Sequence, residues 1–307
     1  MTDLVVPEPT KQTPESRFFK RYEDDVDEFG FHPAKYRNVE RFTHFLYKSW
    51  FQVQVAGLEN IPAKGNAVLF GNHSGGLPLD GFLLYDGIIN YHPEPRRLRF
   101  LVSKFLLKNP AVGDILRSFG CTPADYEVST KLLKKEELVF FYPEAEKGTG
   151  KLYKNRYKLE EFHSGFVRAA IATSSPLIPV VTIGGDEIYP ILVNCKPVAK
   201  LLKWPYYPVT PFFPWLPFPF GSIPLPVKIM VTVWPSFKLK YAPEESENAN
   251  LMTAITNDIR NDLQSKVTDL LDMRVSPFAK WDINEVNAYM KQAKTYWPRS
   301  EKHFQQL

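Results

Sequence analysis

The chain has 307 residues, of which 44% are hydrophobic and 23% charged, an ordinary globular composition with room for one large domain or two small ones. Its net charge of +4 permits contact with an anionic membrane surface and does not indicate a nucleic-acid partner. Two cysteines, Cys121 and Cys195, exclude a disulfide framework and suit a reducing compartment.

The first residues contain neither a basic region nor an apolar core of the kind that secretory signals have, so we expect no signal peptide. No run of about 18 apolar residues occurs, so we expect no helix that spans a bilayer. Residues 1–32 are rich in proline and charged residues, which predicts a loosely ordered tail. We expect the main domain over residues 33–273 and a C-terminal helical extension over 274–307.

Beyond residue 33 the apolar residues alternate between helical spacing and short β-like runs. Strands that alternate with helices predict an α/β fold, in which helices cover the faces of a central sheet. Ligands of such sheets bind beyond the carboxyl ends of the strands. The predicted strands are 67–70, 98–102, 138–142, 177–183 and 227–234, and the predicted helices are 36–55, one that starts at 81–85, 105–119, 129–137, 162–173, 251–270 and 281–294.

The segment between residues 204 and 226 is dense in proline and aromatic residues. Proline at this density excludes a regular helix or a central strand. Aromatic rings with polar edges favour a bilayer interface, so we expect this segment to contact a membrane; the alternative is a packed connection whose rings lie in the core. The residues expected at the membrane are Trp204, Tyr207, Phe212, Phe213, Trp215 and Phe218.

The loop between the strand 67–70 and the next helix contains a histidine and an aspartate, His73 and Asp80. Such a pair is the minimal set for general-base chemistry, because a carboxylate fixes the tautomer of an imidazole and stabilises its charged form. The alternative is a structural loop in which Asp80 caps the helix and His73 is an ordinary polar residue.

Four features occur in a fixed order along the chain. They are His73 with Asp80, the segment 141–144 (Phe-Tyr-Pro-Glu) with Lys147 and Gly148, the segment 165–170 (Gly-Phe-Val-Arg-Ala-Ala) and the segment 176–181 (Pro-Leu-Ile-Pro-Val-Val). This order resembles the glycerolipid acyltransferase superfamily, which includes the lysophosphatidate acyltransferases. The segments 184–190 and 224–226 resemble its monoacylglycerol and diacylglycerol acyltransferase branch more closely. The resemblance covers roughly residues 40–245.

The resemblance implies a mixed, largely parallel sheet and a mechanism for acyl transfer to oxygen. His73 would remove the proton from an acceptor hydroxyl, whose oxygen would attack the thioester of an acyl-CoA, while Asp80 would orient His73. Backbone N–H groups of Gly75 and Gly76 would stabilise the oxyanion. The resemblance implies no cofactor beyond acyl-CoA as co-substrate, with acyl carrier protein as an alternative donor and a lipid alcohol as acceptor.

The segment after the strand 138–142 is where the resemblance places substrate contacts. Glu144 would accept a hydrogen bond from a glycerol hydroxyl, the alternative being a strand-end glutamate exposed to water. Lys147 belongs to a basic cluster with Lys151, which would meet CoA phosphates or lipid headgroups unless it is a solvated face. The substrate-binding residues implied are Gly75, Gly76, Pro143, Glu144, Lys147 and Gly148.

The chain departs from the family pattern at three places. Six residues separate His73 from Asp80, where four are common, so the loop must bulge at its glycines to bring the pair together. Residues 120–125 contain no cation where phosphate-binding members have an arginine, which favours a neutral glyceride or another lipid alcohol as acceptor. Ala145 stands where the family has glycine. The alternatives are a lysophosphatidate acyltransferase of phospholipid synthesis and a catalytically inactive lipid-binding homologue.

Other site classes fit the sequence poorly. Ser74 and Ser164 lack the flanking glycines of a nucleophile elbow, and we identify no set of metal ligands. Because acyl-CoA is cytosolic and the acceptor lies in a bilayer, we expect a peripheral or monotopic protein on the cytoplasmic face of a membrane.

Overall fold

The computed structural model describes residues 13–73, 79–110 and 112–293, and its centre is a sheet of seven strands. Runs rich in β-branched and aromatic side chains form these strands, since such residues pack well in a sheet that is covered on both faces. The strands are β1 Gln54–Ala56, β2 Ala67–Gly71, β3 Leu98–Val102, β4 Thr122–Pro123, β5 Leu138–Phe141, β6 Leu177–Ile183 and β9 Met230–Val233, while β7 Val193–Asn194 and β8 Pro208–Val209 form a separate pair.

The order of strands across the sheet is β1-β9-β6-β2-β5-β3-β4. Strands β4, β3, β5, β2 and β6 are parallel, β9 is antiparallel to β6, and β1 is parallel to β9. The sheet is therefore mixed and largely parallel, which confirms the predicted fold class. Because β2, β5 and β6 are parallel neighbours, the segments that follow them begin at one edge of the sheet.

Helices cover both faces of the sheet, and the side chains of each strand alternate between two cores. Leu69 and Phe140 pack on one face with the first three helices, whereas Phe70 and Val139 pack on the other with α6, α8, α11 and α12. The helices are α1 Pro14–Arg21, α2 Pro33–Phe45, α3 Leu79–Tyr91, α4 Lys104–Lys108, α5 Gly113–Ser118, α6 Tyr126–Lys134, α7 Ala145–Thr149, α8 Gly165–Ala172, α9 Gly185–Ile188, α10 Lys196–Leu202, α11 Ala249–Asp272 and α12 Ile283–Ala293.

The described part of the chain contains no helix that combines the length and the apolar character needed to cross a bilayer. The C-terminal extension is helical at α12, whose Val286 and Met290 are buried in the core.

The prediction of a loosely ordered tail is wrong for the described residues of that segment. α1 begins at a cap in which the Thr13 side chain accepts a hydrogen bond from the Ser16 amide. Phe18 is fully buried, and its ring lies 6.2 Å from that of Tyr36. The aromatic residues of this segment contact the core, although its overall composition is polar.

Two predicted helices are interrupted in the structure, and the helix predicted over 129–137 is Tyr126–Lys134. The helix predicted over 36–55 ends as a π-helical turn, Leu46–Trp50, and Gln52 adopts a left-handed φ of 47° before β1 begins. The helix predicted over 105–119 is two helices, because Asn109 precedes a proline and is extended with ψ 122°.

Candidate active site

His73 lies two residues beyond the end of β2, and Gly71 and Asn72 fix its position. A Cβ at Gly71 would lie 2.6 Å from the Val180 carbonyl oxygen, so only glycine allows β2 and β6 to approach this closely. The Asn72 side chain donates to the Thr182 carbonyl and accepts from the Thr182 amide, both at 2.8 Å. The residue before His73 is thereby tied to β6.

His73 and Asp80 are in direct contact. His73 Nδ1 lies 3.0 Å from Asp80 Oδ2, and the two side chains are 11% and 1% exposed. Asp80 Oδ1 accepts a hydrogen bond from the Gly81 amide at 2.9 Å. Because the carboxylate faces Nδ1, the proton on the neutral imidazole belongs on that nitrogen, which leaves the lone pair of Nε2 for a substrate proton.

Tyr142 is a third member of this group that the sequence analysis did not single out. Its ring stacks on the His73 imidazole with centroids 3.7 Å apart and planes 17° apart. Burial, reinforced by the charge of Asp80, raises the pKa of Tyr142 well above its ordinary value, so its hydroxyl remains protonated and donates to Asp80. Its place at the end of β5 is visible in the sequence, but its contact with His73 is not.

Glu144 has neither of the two roles expected from the sequence, a substrate contact or a glutamate exposed to water. Its side chain is fully buried, so it is neither exposed to water nor open to a glycerol hydroxyl. Oε1 accepts from the His73 amide at 3.0 Å, while Oε2 accepts from Lys151 Nζ at 3.0 Å and from the Glu160 amide at 2.7 Å. Glu144 therefore holds the backbone of His73, and the pairing removes Lys151 from the set of phosphate-binding candidates.

The short helix α7 packs its glycine against the histidine. A Cβ at Gly148 would lie 2.9 Å from the His73 carbonyl oxygen and 3.0 Å from Glu144 Cβ. Lys147 is exposed and lies 3.5 Å from Glu161, whereas Pro143 is buried. Gly148 thus packs directly against the backbone of His73.

Ala145 has a left-handed φ of 48°. That conformation is strained for any residue with a Cβ, which gives a physical reason for glycine at this position in the family pattern.

A second buried polar network lies at the same edge of the sheet, after β6. The Asp186 carboxylate accepts from the Tyr157 amide at 2.7 Å, and the Tyr157 hydroxyl donates to Glu187 at 2.8 Å. Arg274 pairs with Glu187. Burial raises the pKa of Asp186 to about 6, with the Lys151 charge opposing the rise. This network connects the C-terminal segment to the edge that carries His73.

The other predicted site residues fall into two groups. Gly75 and Gly76 lie outside the described residues. In the 204–226 segment, Trp215 and Phe218 are 70% and 89% exposed, so these two rings are not core residues. Of the remaining four, Trp204 and Phe212 are exposed, while Tyr207 and Phe213 are half-buried and in contact with each other.

Comparison with known proteins places the chain in a family. A family model described as Acyltransferase matches residues 52–183. An uncharacterised protein of Mycobacterium leprae is 39% identical over 256 residues, which is 82% of this chain and 70% of that protein. An uncharacterised protein of Mycobacterium tuberculosis (strain H37Rv) is 38% identical over 256 residues, covering 82% and 71%.

A solved structure has the same fold. It is the crystal structure of the 1-acyl-sn-glycerophosphate (LPA) acyltransferase PlsC from Thermotoga maritima, with a TM-score of 0.51 and 18% identity over 84% of this chain and 88% of that one. The match to the family model identifies an acyltransferase domain over residues 52–183 of this chain. The chain belongs to the acyltransferase family, which confirms at that level the resemblance read from its motifs, and the structural match confirms the fold.

Proposed function

We propose that this protein transfers a fatty acyl group from acyl-CoA to the hydroxyl of a glycerolipid or another lipid alcohol. The observation that carries the proposal is the contact of 3.0 Å between His73 Nδ1 and Asp80 Oδ2 at the carboxyl end of β2. Six residues separate His73 from Asp80, more than in the family pattern, yet the two side chains are in contact. A carboxylate at Nδ1 of a histidine is the arrangement that general-base catalysis uses.

The reaction requires one base and no covalent enzyme intermediate. His73 Nε2 takes the proton of the acceptor hydroxyl as its oxygen forms a bond to the thioester carbonyl carbon. The tetrahedral intermediate then collapses, the carbon–sulfur bond breaks, and the thiolate of CoA receives the proton from His73. Asp80 stabilises the imidazolium between the two steps, and Tyr142 holds the ring from one face.

The acceptor we favour is a neutral lipid alcohol. The segment 120–125 contains no cation, and its one charged residue, Asp125, accepts a hydrogen bond from the Glu127 amide and pairs with Lys104 at 3.0 Å. The name of the Thermotoga maritima protein gives lysophosphatidate as that enzyme's acceptor. Lysophosphatidate is therefore the second acceptor to test, and acyl carrier protein is the second donor.

We place the protein at the cytoplasmic surface of a membrane, through the 204–226 segment and the adjoining helix α10. Trp215 and Phe218 offer exposed aromatic area of the kind that binds at the headgroup level. Exposed lysines on and beside α10, Lys196, Lys200 and Lys203, would attract anionic lipids.

The experiment measures thiol release by purified protein with acyl-CoA or acyl carrier protein as donor. The acceptors are monoacylglycerol, diacylglycerol and lysophosphatidate, each presented in vesicles. We expect release with a neutral acceptor, and a decrease of about 10²–10⁴-fold in His73→Ala. The matched control is His163→Ala, because this exposed histidine lies at the start of α8 without a carboxylate partner among the described residues.

Each outcome decides a part of the proposal. Release only with lysophosphatidate would overturn the neutral acceptor and keep the enzyme. Release in His73→Ala at the wild-type rate would remove His73 as the base. Absence of release with every donor and acceptor, from a protein that is folded by circular dichroism, would favour the inactive lipid-binding homologue.

A further inference from the structure

Three side chains of the types that bind metal ions meet between α2 and α3. Glu40 and His44 lie one helical turn apart on α2, which places them on one face, and Asp86 lies on α3. His44 Nδ1 is 3.0 Å from Asp86 Oδ2, and one donor atom from each of the three residues lies within 4.8 Å of the other two. None of the three belongs to the acyl-transfer site described above.

The charges of this cluster are unbalanced. Glu40 is 5% exposed and Asp86 is fully buried, yet among the described residues neither pairs with a lysine or an arginine. Burial of two carboxylates beside a single imidazole is costly without a cation. Arg37 and Arg41 line the surface cavity beside the cluster, but among the described residues neither forms an ion pair with Glu40 or Asp86. A cation bound between the two carboxylates would compensate their charge directly.

Asp86 provides a second and independent observation. Its Oδ1 atom is buried and has no hydrogen-bond partner among the described residues. Buried carboxylate oxygens are normally satisfied, so an orphaned one next to a histidine and a glutamate points to a ligand.

We infer that Glu40, His44 and Asp86 bind a divalent transition-metal ion, with Zn²⁺ as the best match. Imidazole with carboxylate oxygens suits Zn²⁺ and disfavours Mg²⁺ and Ca²⁺. Ligands on a tetrahedral Zn²⁺ lie about 3.4 Å apart, so the His44–Asp86 pair already has a suitable separation and Glu40 needs a small side-chain movement.

The surroundings of the cluster allow an ion to enter and to be held. Glu40 and His44 line a surface cavity of about 480 Å³, together with Glu15, Arg37, Arg41 and Asn90. Asn90 Nδ2 donates to Glu40 Oε1 at 3.2 Å, the kind of outer contact that orients a metal-binding carboxylate. An ion here would fasten α2 to α3, whose first turn carries Asp80 of the catalytic dyad.

The test uses protein without a histidine tag, stripped of metal with a chelator and then desalted. Zn²⁺ is added, with Mg²⁺ as the comparison, and bound metal and thermal unfolding are measured. We expect one Zn²⁺ per chain and a rise in Tm of roughly 5 °C at a hundredfold excess over Kd, with no response to Mg²⁺. Co²⁺ at the same site should give a visible absorption spectrum.

Two variants assign the site. His44→Gln and Asp86→Asn should lose both the bound Zn²⁺ and the rise in Tm, whereas His32→Gln, at the N-cap of the same helix, should keep both. If Asp86→Asn does not fold, Glu40→Gln replaces it. Wild-type protein that retains no Zn²⁺ and shows no change in Tm would overturn the inference, as would variants at His44 and Glu40 that bind Zn²⁺ as the wild type does. This test does not depend on acyl transfer.

Discussion

The residues around His73 each contact a different part of it. Asp80 contacts the ring at Nδ1, Tyr142 covers one ring face, and Glu144 accepts from the backbone amide. Asn72, one residue earlier, is fixed to Thr182. His73 is therefore held at the edge of its ring, at one ring face and at its backbone amide. Preorganisation of this kind is what general-base catalysis needs.

The hydroxyl of Tyr142 should contribute to turnover through Asp80. Tyr142→Phe keeps the stacked ring and removes one hydrogen bond to the carboxylate, which is worth about 1 kcal/mol or somewhat more. We expect kcat to fall about tenfold with little change in KM, because the substrate contacts are untouched. Steady-state kinetics with the best acceptor would measure both constants.

The matched control for Tyr142 is Tyr289→Phe. Tyr289 of α12 donates to Asp269 of α11 at 2.6 Å, so the change removes the same kind of hydrogen bond outside the site. It should lower stability and leave kcat as it is. Equal loss of kcat in both variants would show that Tyr142 acts through general stability alone.

Asp186 should make the stability of the protein depend on pH. Burial raises its pKa from 3.8 to about 6 in the folded state, so the folded protein keeps a proton that the unfolded chain releases. This proton favours folding at pH 4, and its contribution is lost as the pH rises to about 6. The shift corresponds to about 3 kcal/mol as an order of magnitude. The charged groups that act on Asp186 are Lys151, Glu144 and Asp80.

Denaturant unfolding of wild type and Asp186→Asn between pH 4 and 7.5 would measure this dependence. Asparagine can still accept from the Tyr157 amide, so the variant removes mainly the charge. The wild type should lose stability relative to the variant as the pH rises through this window. A difference in unfolding free energy that is constant with pH would contradict the assignment.

At the scale of elements, α7 sets how closely the chain can pack behind His73. Gly148→Ala would place a Cβ 2.9 Å from a backbone oxygen of His73, which cannot yield as the end of a side chain would. We expect a loss of about 1–3 kcal/mol in stability and at least a tenfold decrease in kcat/KM, because His73 must shift. Denaturant unfolding and steady-state kinetics measure the two effects.

Gly165→Ala is the control for this substitution. Gly165 begins α8, and a Cβ there meets nothing within 4 Å. Alanine should leave activity unchanged and hold or slightly raise stability, since it restricts the unfolded chain. Similar losses in both variants would indicate that the effect of Gly148→Ala is not local.

Elements defined by local pattern were predictable, and elements defined by distant contacts were not. The strands β3 and β6 follow from their apolar runs alone, and their bounds match the prediction. By contrast, Phe42 and Phe45 on α2 have helical spacing but are exposed, because Tyr36 and Thr43 occupy the buried face. Periodicity identifies a helix, but the neighbouring elements decide which face is buried.

The same limit applies to the site. His73 and Asp80 lie in one loop and could be paired from the sequence, whereas Glu144 was assigned to a substrate because its amide partners lie in other segments. Likewise, His44 and Asp86 are 42 residues apart, with no spacing that a metal motif would have. Contacts made by packing need the fold before they can be recognised.

For the whole molecule, the exposed aromatic segment should determine binding to membranes. Replacement of Trp215 and Phe218 by serine removes two rings that are 70% and 89% exposed, so the fold should persist while apolar contact is lost. We expect partitioning into vesicles that contain anionic lipid to fall at least tenfold, a change of about 1.4 kcal/mol or more. Co-sedimentation at low and moderate salt measures it, and the residual binding should be the part that salt weakens.

The control for the membrane variant replaces Val275 and Phe278 by serine. These side chains are 88% and 59% exposed but lie outside the segment, so they test whether any loss of exposed apolar surface has the same effect. Their replacement should leave partitioning as in the wild type. If both double variants partition as the wild type does, the 204–226 segment is not the contact, and the lysines of α10 would be the next surface to change. Circular dichroism of each variant keeps a folding defect distinct from a loss of binding.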